Sequence, residues 1–280
     1  MAHKLGQDLI TLLAPPTSVP LDGAFARELG VLAARAADLP RDRPAPETLP
    51  SVAQLQELWG LLYAQLRILR SENLDDRAFL RELWERQRAH GRLCAKHLFD
   101  IWVSLHDPPR SVFEIGCRTG LSLVNKLMFH PTGERVFCAL FDAWCEWGSP
   151  EVVLRNLRHI GVGGERIRFC NGDSRALVPA FKQALPGVVF DYVLVDGSHA
   201  KDDARVDLEN AIDLVAPGGW LVFDDTGPDD DGGRGCDLIT VWNEVMAHKA
   251  GFDERRHYDV PYGFAVARRT RARRQIDRAT

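Results

Sequence analysis

No stretch of this 280-residue chain approaches the roughly 20 consecutive apolar residues that a membrane-spanning helix needs. The opening MAHKLGQDLITLLAPP has too short an apolar run, and no small-residue cleavage site, to act as an export signal, so a cytoplasmic protein without a membrane partner is expected. There is no C-x-x-C pair. The six cysteines (Cys94, Cys117, Cys138, Cys145, Cys170, Cys236) are scattered through apolar segments, as free thiols in a reducing compartment would be. Nor is there a charge excess: 35 Lys and Arg against 39 Asp and Glu leave a net charge of -4, which gives no reason to expect nucleic acid as a partner. The basic RRTRARRQIDR near the C-terminus reads most simply as a solvated tail.

What is present is an ordinary globular composition, 45% hydrophobic and 26% charged, long enough for one full core and an accessory region. Residues 39–50, LPRDRPAPETLP, hold four prolines and read as a linker or extended arm. Helical periodicity follows. Ser51 and Gln54 have capping-box spacing, and Val52, Leu55, Leu58, Leu62, Leu66 and Leu69 recur at helical intervals. Residues 75–106 continue the pattern through Phe79, Leu83, Leu98, Trp102 and Leu105. These helices are expected to form an N-terminal extension over residues 1–107, a packing collar or a lid over a substrate pocket. Their apolar stripes could equally bury against a second copy of the chain in a homo-oligomer.

From residue 111 the period changes. Short β-branched and aromatic runs, SVFEIG, RVFCALFD, RIRFCNGD, FDYVLVDG, GWLVFDD and GFAVARR, alternate with helical stretches, which is the pattern of βαβ units. Residues 108–280 are therefore expected to be an α/β domain, a doubly wound Rossmann-like sheet with helices on both faces. Ligands in such sheets bind at the carboxyl ends of the strands. The polar residues that end the runs become candidates: Glu114, Asp142, Asp173, Asp196, and Asp224 with Asp225.

FEIGCRTG places Glu114, Gly116 and Gly120 at a strand-to-helix turn, where glycine lets the backbone approach a ligand. It is not the G-x-G-x-x-G that cradles a pyrophosphate in nicotinamide-dependent oxidoreductases, because Cys117 and Arg118 follow Gly116, and Glu114 would repel phosphates. A nucleoside-type ligand without phosphates fits better. Asp142 stands where a carboxylate accepts from ribose hydroxyls, with Trp144 and Trp147 just beyond, and Asp173 could accept from an exocyclic amine. Each also has a plainer reading, as turn-forming Asp or core Trp.

FEIGCRTG, LFDAW, NGDS, DYVLVDGSH and APGGWLVFDD, in this order and over residues 111 to about 267, resemble the class I S-adenosylmethionine-dependent methyltransferases. The resemblance implies that the loop from Glu114 through Gly116 and Gly120 to Ser122 faces the methionine part of the cofactor. It implies too that Asp142 holds the ribose with Trp144 nearby, that Asp173 and Ser174 meet the adenine, and that Asp196 lies within reach of the cofactor. The NPPY-like and PC motifs of the common base-methylating enzymes are missing.

WLVFDDT, residues 220–226, runs an apolar strand into two adjacent carboxylates. If its strand lies beside the one ending in VDGSH, Asp196, Asp224 and Asp225 converge, and three unpaired carboxylates would repel severely. A hard divalent cation, Mg²⁺ first and Ca²⁺ or Mn²⁺ as substitutes, would resolve this through oxygen ligation. The plainer alternative is that Asp225 caps the following loop and one acid alone faces the site. The arrangement resembles the metal-dependent O-methyltransferases of the catechol type and of the group that tailors macrolide sugars and aminocoumarins. Asp-Asp in place of Asp-Asn, and His199 in place of Lys three residues after the first ligand, are departures toward the tailoring group.

The resemblance implies methylation of a hydroxyl on a small phenolic or sugar-containing secondary metabolite. His199 is the first candidate for general base, because an imidazole accepts protons near neutrality. His257 and Asp259 are candidates for lining the acceptor pocket, and the loop 227–237, GPDDDGGRGCD, for folding over it. The competing expectations are a metal-independent methyltransferase of the same fold, a nicotinamide-dependent oxidoreductase, and a non-catalytic cofactor-binding protein.

Overall fold

The computed structural model describes residues 48–64, 95–130, 136–143, 148–158, 160–162, 167–228, 236–260 and 262–271. Trp144 and Trp147, most of the loop 227–237, residues 1–47 and the basic C-terminal run from 272 lie outside them.

Helix α1 (Val52–Ala64) starts on the expected capping box. The Gln54 amide N–H donates to Ser51 Oγ at 3.2 Å, and the Ser51 N–H donates to Gln54 Oε1 at 2.7 Å. Helix α2 (Ala95–His106) precedes the sheet. The remaining elements are β1 (Ser111–Ile115), α3 (Leu121–Leu127), β2 (Phe137–Asp142), α4 (Pro150–Arg158), β3 (Ile167–Asn171), α5 (Ser174–Ala184) and β4 (Phe190–Val195). They continue with α6 (Lys201–Ile212), β5 (Val215–Asp224), α7 (Ile239–Ala247), β6 (Phe252–Tyr258) and β7 (Phe264–Arg269).

The seven strands form one sheet in the order β3-β2-β1-β4-β5-β7-β6. Strands β1 to β5 pair in parallel, and β7 pairs antiparallel with both β5 and β6. Alternation along the strands splits the core in two. Val112, Cys138, Leu140, Tyr192, Leu194, Trp220, Val222 and Val266 pack with α1 to α4 on one face. Phe113, Ile115, Phe141, Val193, Val195, Leu221, Phe223 and Ala265 pack with α5 to α7 on the other. Successive strands are added outward in one direction from β1 to β3 and in the other from β4 to β5, so the crevice at the carboxyl ends between β1 and β4 is the switch point. Strands β4 and β5 are neighbours, as the site reading requires, but both lie on one side of that switch.

Two features depart from the sequence expectation. Strand β6, FDERRHY, has no apolar alternation because it forms a sheet edge with its middle residues exposed, where charge is an advantage. Helix α2 is buried without interruption from Lys96 to Ser104, so it forms part of the layer over the sheet. Among the described residues no helix is long and apolar enough to cross a membrane.

Candidate active site

The parallel registers bring the candidate residues to one edge. Ile115 pairs with Phe141 and with Val195, and Val195 pairs with Phe223. Gly116, Asp142, Asp196 and Asp224 are each the next residue along their strands. Gly116 has φ +84°, and a Cβ there would sit 1.7 Å from the Asp196 carbonyl oxygen, so only glycine lets the β1 turn cross the end of β4. The turn is held by the Gly116 N–H donating to Phe141 O at 2.8 Å and the Gly120 N–H to Cys117 O at 2.7 Å. The Arg118 N–H donates to Asp142 Oδ2 at 2.6 Å. Asp142 thereby stands at the crevice with its carboxylate oriented by the glycine turn.

The three carboxylates converge as expected: one oxygen from each of Asp196, Asp224 and Asp225 lies within 4.8 Å of the others. A residue missed in the sequence is among them. The Lys96 ammonium, projecting from α2 and only 1% exposed, donates to Asp196 Oδ2 at 2.9 Å and to Ser122 Oγ at 2.9 Å. It also lies 3.0 Å from Asp224 Oδ2. All three of its N–H groups thus have partners. Burial pushes the Asp224 carboxyl well above the usual carboxylate range; Lys96 opposes the shift, and the charges of Asp196 and Asp225 add to it. Asp224 Oδ1 is buried with no hydrogen-bond partner.

A second polar layer lies deeper. One helical turn beyond Lys96, Asp100 accepts from the Tyr192 hydroxyl at 2.5 Å and lies 3.8 Å from Lys126 Nζ. Lys126 donates to Glu114 Oε2 at 3.0 Å and sits 4.9 Å from the Tyr192 ring centroid. Asp100, Glu114, Lys126 and Tyr192 are fully buried. Glu114 therefore turns its carboxylate into the interior toward Lys126. Burial raises both Asp100 and Glu114 despite Lys126 and Lys96.

On the outer side, His199 Nε2 is 2.9 Å from Asp225 Oδ2 and the imidazole is about half exposed. The hydrogen bond to Asp225 is the largest influence on it and holds its pKa above the usual value, outweighing its partial burial. Asp225 has φ +56°, Asp237 +47° and Tyr262 +69°, so non-glycine residues in left-handed conformation gather where β5 ends. Thr226 Oγ1 lies 3.1 Å from His257 Nε2, which seats His257 beside the acid pair.

Asp173 and Ser174 also make contacts of their own at the start of α5. Asp173 caps α5, accepting from the Arg175 N–H at 2.9 Å and pairing with its guanidinium, which lowers the Asp173 carboxyl. Ser174 Oγ donates to Asp207 Oδ1 at 2.7 Å. Asp207, pushed to about 6 by its burial, binds protons in the folded state that it has lost in the unfolded one. Its contribution to stability therefore falls as pH rises from about 4 to about 6. Asp207→Asn is expected to gain on the order of 2 kcal/mol at neutral pH and nothing under conditions acidic enough to protonate the carboxyl, as urea titrations at several pH values would show.

Lys96 had little signal in the sequence. In AKHLFDIWVSLH, Lys96, Asp100 and Ser104 stand four apart on one helix face opposite Leu98, Trp102 and Leu105, a spacing that reads as a solvated stripe, and only the fold shows that this stripe is buried.

Residues 113–226 match the family model described as a methyltransferase domain. The match covers the glycine turn, Asp142, Asp196 and the acid pair. A search of curated proteins gives no match. Among solved structures, a Staphylococcus aureus protein with a provisional caffeoyl-CoA O-methyltransferase assignment aligns over 78% of this chain and 99% of its own, at 12% identity and TM-score 0.51, and shows the shared fold. The O-methyltransferase TomG from Streptomyces achromogenes aligns over 95% of this chain and 96% of its own, at 18% identity and TM-score 0.45. CalS11, a TDP-rhamnose 3'-O-methyltransferase of calicheamicin biosynthesis, aligns over 79% and 96%, at 18% identity and TM-score 0.49.

Proposed function

We propose that this methyltransferase uses S-adenosylmethionine and a hard divalent cation, Mg²⁺ foremost, to methylate a hydroxyl of a small phenolic or sugar-containing acceptor. The observation that carries the metal is Asp224 Oδ1, a buried carboxylate oxygen with no partner beside two further carboxylates. Oxygens bound about 2.1 Å from Mg²⁺ stand about 3 to 4.2 Å apart, a spacing compatible with this group. The charge balance favours it too. Two buried ammonium groups, Lys96 and Lys126, face four carboxylates, Asp100, Glu114, Asp196 and Asp224. Asp225 adds a fifth, answered in part by His199. Lys96 holds the Oδ2 atoms of Asp196 and Asp224, and Asp224 Oδ1 is left for a cation that these acids would hold.

Such an ion would act as a Lewis acid, lowering the pKa of an acceptor hydroxyl placed over the three acids. S-adenosylmethionine would supply the methyl group from its sulfonium, over the Gly116–Gly120 turn. Asp142 would orient the ribose, and the turn would let the cofactor come against the backbone. His199, oriented by Asp225 at the mouth of the site, would receive the acceptor's proton. Alignment of acceptor oxygen and methyl carbon by these fixed groups is the main service the protein performs.

One observation favours a metal-free version of the same reaction. Lys96 already supplies a positive charge between two of the acids. Calorimetric titration of Mg²⁺ into protein saturated with S-adenosylhomocysteine separates the two. Saturable binding, weakened at least tenfold in Asp225→Asn, is the expected result. If heats are absent with cofactor product and remain absent with catechol added as a chelating acceptor, the ion has no place in the mechanism and the Lys96 version stands.

A further inference from the structure

Beside the carboxylate trio lies a second set of donors with different chemistry. His199 comes from the β4–α6 loop, Asp225 from the end of β5, and Cys236 from the segment leading into α7. One ligand atom from each, an imidazole nitrogen, a carboxylate oxygen and the Cys236 sulfur, lies within 4.8 Å of the other two. Cys236 is half-buried and not in a disulfide. Two backbone hydrogen bonds tie its segment to the end of β5: the Asp237 N–H donates to Gly227 O at 3.0 Å, and the Leu238 N–H to Asp225 O at 3.4 Å.

We propose that His199, Asp225 and Cys236 bind a thiophilic divalent cation of the Zn²⁺ class, and that its occupancy inhibits the enzyme by withdrawing His199 and Asp225 from the site. A nitrogen, oxygen and sulfur set is the donor chemistry of zinc, whereas Mg²⁺ avoids thiolate. Zinc ligands at about 2.0 to 2.3 Å stand roughly 3.3 to 3.8 Å apart in a tetrahedron, so donors now within 4.8 Å of one another would draw in by up to about 1.5 Å while His199 and Asp225, 2.9 Å apart, part slightly. Three protein ligands leave the fourth position to water. Binding requires the thiolate, so Cys236 releases its proton to solvent, and protonated His199 releases another. Binding owes nothing to the methyl transfer proposed above; the inhibition rests on it.

Co²⁺ serves as the spectroscopic probe, because a thiolate ligand adds a charge-transfer absorption in the near ultraviolet that oxygen and nitrogen ligands lack. Titration of the full-length protein with Co²⁺ is expected to give that band, and excess Zn²⁺ to abolish it. Cys236→Ser is expected to remove the band and His199→Ala to weaken Co²⁺ binding at least tenfold, while Asp196→Asn, which disables the carboxylate trio alone, leaves the band in place. A band that persists in Cys236→Ser, or no band in the unaltered protein, overturns the proposal. Zn²⁺ inhibition relieved in Cys236→Ser would support the second half. Inhibition of equal strength in both would overturn that half and leave the binding site intact.

Discussion

Lys96→Met is expected to cost about 3 to 5 kcal/mol in folding stability, the penalty for leaving buried carboxylates without their cation. The side chain is nearly isosteric, so little of the loss comes from packing; it comes from Asp196 and Asp224, each within 3.0 Å of the ammonium. Chemical denaturation gives the number, and a double-mutant cycle gives its origin. Asp224→Asn alone should cost less, because Lys96 keeps Asp196 and Ser122 as partners. In the double variant the two losses should fall short of their sum by roughly 1 to 3 kcal/mol. A loss below about 1 kcal/mol for Lys96→Met would mean that the ammonium does not neutralise these acids. If the carboxylates also take a divalent cation, added Mg²⁺ should stabilise Lys96→Met more than the unaltered protein, since it would then replace the ammonium facing Asp196 and Asp224.

Gly116→Ala is the second large effect. The added methyl carbon would lie 1.7 Å from the Asp196 carbonyl oxygen and 2.4 Å from its carbonyl carbon. Backbone atoms of two paired strands would have to part. The expected cost exceeds about 3 kcal/mol and includes loss of S-adenosylhomocysteine binding, since the turn and the carboxylate edge move together. Gly161→Ala is the control: it has φ +73°, yet nothing lies within 4 Å of the added carbon. It should show the conformational term alone, about 1 to 2 kcal/mol, and normal ligand binding. Equal losses at the two sites, read by thermal denaturation and calorimetry, would refute the steric account of Gly116.

The parts of this molecule visible in the sequence are those in which local chemistry and fold coincide. Strands β1 to β5 and β7 appear as apolar runs because each is covered on both faces, and their polar ends mark the site because parallel registers carry the chain out of the core together. Ser51 and Gln54 announce a helix start through contacts only three residues apart. Strand β6 left no such pattern, since an exposed edge selects for charge over alternation. Glu114 carries a contact that its spacing does not announce. This acid near a strand end is met from inside by a lysine twelve positions on. Lys96 meets Asp196 across 100 residues of chain, a separation over which spacing carries no information.

Helix α2 gives the molecule a different kind of boundary. It precedes residue 113, where the match to the methyltransferase-domain model begins, yet it supplies the ammonium at the carboxylate edge and an aromatic cluster in which Phe99 meets Trp220, Tyr258 and Phe264. The segment that matches the family model is consequently not a module that can be exchanged on its own. A chimaera joined at the start of β1 would import acids tuned to one helix and place them under another. Successful recombination would have to carry residues 95–106 with the sheet, so that lysine and carboxylates are inherited as one unit.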